Sequence, residues 1–217
     1  RVLFRSGSMV NGMHYRHPAV TANMAATLDI VSNGRFDLGL GAGWNEQESN
    51  AYGIALGTIR QRMDRFDEGV EVIVGLLSQA NTTFAGRYFQ ITDARCEPKG
   101  PQQPHVPIVI GGGGERRTLR TVARWAQMWD GGFTGMDTWR RKRDVLAAHC
   151  ADVGRDSADI RCSRHIAWPA DADPAQLADE AMAMADAGVD QVIFSMRGPY
   201  PANQVEPLGA ALVAAKG

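Results

Sequence analysis

Residues 106–126 read VPIVIGGGGERRTLRTVARWA: an apolar run from Val106 to Ile110, four consecutive glycines, then a helical pattern with Leu119, Val122 and Ala126 on one side. A continuous apolar run marks a strand buried on both faces, as in a parallel sheet. Four glycines exceed what a tight turn needs. They let backbone N–H groups approach an anion at a helix start, where the macrodipole adds about half a positive charge. Arg116 and Arg117 follow at once. A phosphate fits this pattern; the plainer reading is that the glycines only permit a sharp strand-to-helix turn. The run is neither GxGxxG nor a Walker loop, since no GK[ST] follows, and glycines alone do not name a cofactor.

Working outward, the same alternation repeats. His17-Pro18 opens a helix, Val20, Met24, Leu28 and Val31 form an apolar stripe along it, and Asn33-Gly34 stops it. Arg35 to Gly41 (RFDLGLG) is a β-type run, and a helix is expected from about Thr58 to Ser78 with Ile59, Met63, Phe66, Val70, Ile73 and Leu77 on its buried face. Thr82 to Ile91 reads as a hairpin turning at Gly86, within a small insertion at about 82–98, and Pro98 to Pro107 is a proline-rich connector. Beyond the glycine loop come a short strand (Met128 to Gly131), a helix (Asp137 to Val153), a strand (Asp159 to Trp168), a helix (Pro174 to Ala187), a strand (Gln191 to Met196) and a last helix from Gln204.

Strands and helices alternate six times, the signature of parallel βα units, which close into a barrel or open into a doubly wound sheet. A (β/α)8 barrel takes about 250 residues. Six units in 217 residues therefore suggest a barrel without its first two. The chain begins with Arg1, and Arg1 to Ser6 (RVLFRS) resembles the translation of a sequencing adapter. It is set aside as a non-native leader, leaving 7–217 as a partial barrel domain.

Composition narrows the function. With 44% apolar and 22% charged residues the chain suits a globular protein with one sizeable core. The formal charge is -1, so no positive field draws in nucleic acid or an anionic membrane, and a small-molecule substrate is the better expectation. Cys96, Cys150 and Cys162 match neither a zinc knuckle nor a CxxC pair, which fits reduced thiols in a cytoplasmic protein. No apolar run approaches the roughly 20 residues a membrane span needs. The histidines lack metal-ligand spacing, so no metal site is expected.

Two further stretches carry candidate chemistry. Gly39 to Gly53 (GLGAGWNEQESNAYG) starts at the carboxyl end of a strand, where barrel enzymes put their sites. There Trp44 can wall a ring-shaped ligand, and Glu46 or Glu48 can transfer a proton; the alternative is loop packing and solvated carboxylates. His14-Tyr15-Arg16-His17 follows another strand, and a histidine there can shuttle a proton, although His17 before Pro18 also suits a helix cap.

The three blocks HYRHPAVTANMAATLDIVSNGRFDLGLGAGWNEQESNAYGI, TTFAGRYFQ and PHVPIVIGGGGERRTLRTVARWAQMWDGG, in this order, resemble the bacterial luciferase-like monooxygenase superfamily, specifically its coenzyme F420-dependent oxidoreductases. The resemblance implies a luciferase-like (β/α)8 TIM barrel, α/β in class, lacking its first two βα units, with Gly7 to Asn11 as third strand and VPIVI as fifth. It implies an F420 or FMN ring in the barrel mouth, its phosphate at Gly111, Gly112, Gly113, Gly114, Glu115 and Arg116. Ser8, Met9, Asn11 and Trp44 would lie beside the ring, with a non-prolyl cis peptide near Ser8-Met9. His14 and Glu48 would be the proton carriers. Trp44 stands where the family's sugar-phosphate dehydrogenases have glutamate, which disfavours sugar-phosphate oxidation. The expected activity is hydride transfer between F420 and a small organic substrate. The rivals are a monooxygenase using reduced FMN and dioxygen, and an inactive cofactor-binding fragment. Relatives pair through barrel helices, so a homodimer is expected at full length. Missing strands leave open sheet edges, and the 217 residues alone are expected to turn over nothing.

Overall fold

A computed structural model of the chain describes residues 4–169, 172–196, 198 and 205–214. In chain order the elements are β1 (Ser6–Gly7), β2 (Asn11–Gly12), α1 (Pro18–Ser32), β3 (Phe36–Gly41), α2 (Glu46–Ala51), α3 (Ile59–Ser78), β4 (Thr82–Ala85), β5 (Gln90–Ala94), β6 (Ile108–Gly111), α4 (Thr118–Trp125), β7 (Met128–Asp130), α5 (Met136–Asp152), β8 (Arg161–Trp168), α6 (Pro174–Asp186), β9 (Gln191–Met196) and α7 (Val205–Ala214). β4 and β5 form a separate antiparallel hairpin. All other strands are parallel in the order β1-β3-β6-β7-β8-β9, with β2 also on β3. This is an α/β fold whose sheet is a parallel half-barrel. Its edges, among the described residues, are β1 and β9.

Every residue of β3 is buried, because the strand lies mid-sheet with side chains covered on both faces. Ser8 closes the gap between β1 and β2. Its hydroxyl donates to Gly39 O (3.1 Å) and accepts from Gly39 N (3.0 Å), standing in for ladder hydrogen bonds. A side chain at Gly39 would run into Ser8 O, so glycine is what lets the two segments meet. Arg5 and Ser6, assigned to the leader on sequence, lie against β3: Arg5 pairs with Asp37 at 2.6 Å and Ser6 N donates to Arg35 O.

The apolar stripe of α1 faces outward. Its ends are as read, with His17 capping Ala19 N and Asn33 in the left-handed region at φ 53°. Yet Val20, Met24, Leu28 and Val31 are exposed, from 44% at Leu28 to 78% at Val31. The buried face is Ala22, Ala25, Ala26 and Asp29. Small alanines let the helix approach β3 and α3 closely, and Asp29 can turn inward because Gln102 donates to it from its backbone (3.1 Å) and its side chain (2.7 Å). Burial thus followed backbone approach and hydrogen bonding rather than side-chain size.

α3 keeps its expected stripe: Phe66, Val70, Ile73 and Leu77 are buried, while Ile59 in the first turn is exposed. A capping box of Thr58 and Gln61 starts the helix. Glu68 on α3 receives the backbone N–H groups of Arg87, Tyr88 and Phe89 at 2.8–3.1 Å, which fastens the hairpin tip to the barrel wall. α4 begins at Thr118 instead of Glu115, because Arg117 is drawn to α3 by Asp64 (2.6 Å) and Asp67 (2.5 Å). The three cysteines are free and buried; burial pushes the Cys162 thiol up to about 11 and raises Cys96 and Cys150 as well. No described helix is long and apolar enough to cross a membrane.

Gly39→Ala is expected to cost about 3 kcal/mol or more, since main chain must move to admit the methyl group. Urea unfolding of the variant beside the unaltered chain measures it.

Candidate functional site

The carboxyl ends of β2, β3, β6 and β7 open on one cleft of about 460 Å3, within the usual range for small-molecule sites. Gly12, Gly41, Gly111 and Asp130, each the last residue of its strand, all line it. Parallel pairing puts them on the same side of the sheet, so the cleft follows directly from topology.

One wall is built by the segments after β2 and β3. His14 is packed against the Gly12 and Gly43 backbone, where no other residue type leaves room for the ring. Its Nε2 lies 3.2 Å from Ser49 Oγ, and its Nδ1 is buried with no hydrogen-bond partner. Burial, then the guanidinium groups of Arg65 and Arg62, push the His14 pKa below its ordinary value against a weaker opposing effect of Glu48. The imidazole is therefore neutral at neutral pH. The Tyr15 ring tilts over His14 with centroids 4.0 Å apart, and its hydroxyl donates to Glu48 Oε2 at 2.7 Å. That hydrogen bond raises the Tyr15 pKa, so the phenol stays protonated. Asn45 caps α2 at Glu48 N (3.0 Å), which sets the carboxylate at the rim. Trp44, 82% exposed, and Met9, half exposed, complete this wall.

The opposite wall is the glycine loop with Thr118. Two of its carbonyls are held from behind: Trp129 Nε1 donates to Gly112 O at 2.8 Å, and Lys142 Nζ donates to Gly113 O. Gly112 takes φ +113°, which L side chains rarely adopt. Among the described residues, no acceptor meets the N–H groups of Gly113 and Gly114. Arg116 is exposed and unpaired among the described residues, whereas Arg117 is spent on Asp64 and Asp67. Glu115 turns away to Arg141 at 3.1 Å.

The sequence-chosen residues thus separate. His14, Glu48, Met9, Trp44, Gly111 and Gly112 share the cleft. Ser8 and Asn11 instead hydrogen-bond each other (2.8 Å) and support β3. Gly113, Gly114, Glu115 and Arg116 continue the loop beyond the lining. A non-prolyl cis peptide lies at Met9-Val10, one bond after the Ser8-Met9 position considered on sequence. Lys142, Thr118, Asp130 and His165 were not foreseen. Asp130 was open to detection as a carboxylate at the end of a strand, and His165 by the period-two pattern of β8 that sets it on the same face as Ser163. Lys142 carried no local signal, since its helix meets the loop only in the fold.

Known proteins agree with this architecture. The luciferase-like monooxygenase family model matches residues 5–212, and the chain belongs to that family of oxidoreductases. Among curated relatives, an uncharacterized protein of Mycobacterium tuberculosis is 32% identical over 112 residues, which cover 52% of this chain and 38% of that protein. Pyrimidine monooxygenase RutA of Allorhizobium ampelinum is 34% identical over 110 residues, 50% of this chain and 29% of that protein. The chain therefore matches well under half the length of these relatives. Among solved structures, an F420-dependent secondary alcohol dehydrogenase superposes with TM-score 0.83 at 16% identity, covering 97% of this chain and 79% of that one. Monooxygenase RslO1 from Streptomyces bottropensis gives 0.74 at 19%, covering 98% and 76%. These two likenesses concern the fold.

The lowered pKa of His14 has a sign that can be checked. As pH falls through the ordinary histidine value, the unfolded chain takes up a proton that folded His14 refuses. Stability contributed at neutral pH is therefore lost toward acid. His14→Gln should flatten the decline in urea midpoint between about pH 8 and about pH 5.5; a variant as steep as the unaltered chain would contradict the assignment.

Proposed function

We propose that this chain forms the cofactor cleft of an oxidoreductase that transfers a hydride between coenzyme F420 and a small organic substrate. The observation carrying this reading is one cleft with two unlike walls, Gly111, Gly112 and Thr118 on one and His14, Tyr15 and Trp44 on the other, with the free N–H groups of Gly113 and Gly114 just beyond the first. The cradle fits a phosphate-bearing ring. Main-chain N–H groups of Gly113 and Gly114, the Thr118 hydroxyl and Arg116 would hold the phosphate, with Lys142 fixing the loop from behind and the helix dipole of α4 adding to them. Met9 and Trp44 would flank the ring. Such a ring, when bound, supplies the two-electron chemistry.

The chain's own residues do the rest. Neutral His14, with Nδ1 unpaired, can take a proton from a substrate hydroxyl or hydrogen-bond it. Tyr15 and Glu48 form a proton-bearing pair at the rim. Trp44 and the loop after β3 limit water in the mouth. The preference for F420 over FMN rests on the three ordered sequence blocks.

A second reading, a monooxygenase using reduced FMN and dioxygen, is favoured by the 34% identity to RutA of Allorhizobium ampelinum and the 38% identity over 95 residues to RutA of Yersinia enterocolitica. Fluorescence titration of the chain with F420 and with FMN separates the two. Binding of F420 without FMN is expected; FMN binding without F420 would replace the first reading by the second.

Lys142→Ala should weaken F420 binding about tenfold, because the Gly113 carbonyl it holds is released and the loop N–H groups lose their fixed direction. The deazaflavin core of F420 without its phosphate-bearing tail should keep its affinity in the same titration. Equal loss for the core and for F420 would remove the phosphate from the glycine loop.

A further inference from the structure

Three adjacent strands carry an array that the phosphate end does not use. Asp130, closing β7, is buried, and its Oδ1 accepts from Ser163 Oγ at 2.8 Å and Gly132 N at 3.4 Å. His165 on β8 lies beside it, its side chain 12% exposed: Nδ1 lies 2.9 Å from Ser195 Oγ on β9, and Phe133 packs edge-on at 5.0 Å. His165 Nε2 lies 3.1 Å from Asp130 Oδ1 but off the line of a hydrogen bond, so this buried atom has no aligned partner. Both Asp130 and His165 line the cleft.

A carboxylate only accepts, so its proximity favours the tautomer with the proton on Nε2 and leaves Nδ1 to accept from the Ser195 hydroxyl. The result is a rigid N–H donor, unspent, beside a fixed negative charge. Buried donors without partners are costly, and a ligand acceptor in the cleft would relieve this one. The neighbouring carboxylate decides which acceptor. A ligand carboxylate would be repelled at close range in a poorly solvated site, while an amide, ketone or hydroxyl oxygen would not.

We infer that His165 Nε2, positioned by Asp130 and Ser195, receives an uncharged oxygen of the substrate and that Asp130 excludes carboxylates from this subsite. The cleft then sorts its ligands by charge, with the anionic group at the glycine loop and the neutral polar group at His165. Calling the neutral ligand a substrate rests on the proposed function. The subsite itself rests on the geometry of β7, β8 and β9.

Acetamide and acetate, alike in shape and different in charge, are the probes. Imidazole spectra of the full chain with isotope-labelled histidine are recorded at neutral pH during titration with each, without cofactor; the His165 signals are assigned by their loss in His165→Phe. The expected result is that acetamide shifts these signals and that acetate needs about tenfold higher concentration for the same shift. Asp130→Asn keeps the hydrogen-bonding shape and removes the charge. It should bring acetate to within about twofold of acetamide, a gain that a misfolded variant cannot imitate. Equal response to both probes in the unaltered chain, a preference that survives Asp130→Asn, or no shift of His165 by either would overturn the inference. Failure of the F420 and FMN titrations would count against the proposed function alone, since those read the glycine end.

Discussion

The cleft depends on the indole N–H of Trp129 meeting the carbonyl of Gly112. That hydrogen bond, 2.8 Å long, runs from β7 to the loop after β6 and holds the first loop carbonyl behind the sheet edge. Lys142 does the same for Gly113 from α5. With the carbonyls of Gly112 and Gly113 held from behind, Gly113 and Gly114 keep N–H groups without acceptors among the described residues, which is the condition for anion binding. Glycine supplies the needed conformations, but two side chains remote in sequence select one of them.

Parallel pairing then brings the other components to the same rim. Gly12, Gly41, Gly111 and Asp130 end neighbouring strands, so the segments that follow each strand must converge. Side chains with opposite preferences are thereby held apart. Lys142 backs the glycine loop, while Asp130 with His165 lies on the strands beyond it, and His14 with Tyr15 faces both from the segment after β2. A cleft with acidic groups on one side and a cation-backed glycine loop at its other rim can orient a ligand that is charged at one end only.

Much of this was legible in the chain. The strand boundaries of β9, the capped ends of α1, the inner stripe of α3 and the glycine loop all follow from local periodicity and from residues with restricted backbone choices. His14, Glu48, Trp44 and the first two loop glycines were recognisable because each follows a strand end. Where local reading failed, it failed for one reason. The exposed stripe of α1 and the shortened start of α4 depend on partners far along the chain: Gln102 for Asp29, and Asp64 with Asp67 for Arg117. Apolar spacing reports that a helix has two faces, and cannot report which one the neighbouring elements will cover.

Sequence alone determined the class of fold and the presence of an anion-sized glycine loop, because alternating apolar periods and four adjacent glycines constrain the backbone locally. Only the tertiary structure decided which charges attend that loop. It tied Arg117 to α3, turned Glu115 toward Arg141, brought Lys142 to Gly113, and set Asp130 beside His165. Electrostatic neighbours act through space over a few ångströms, and distances of that size between side chains on separate helices and strands are fixed by packing, not by order along the chain.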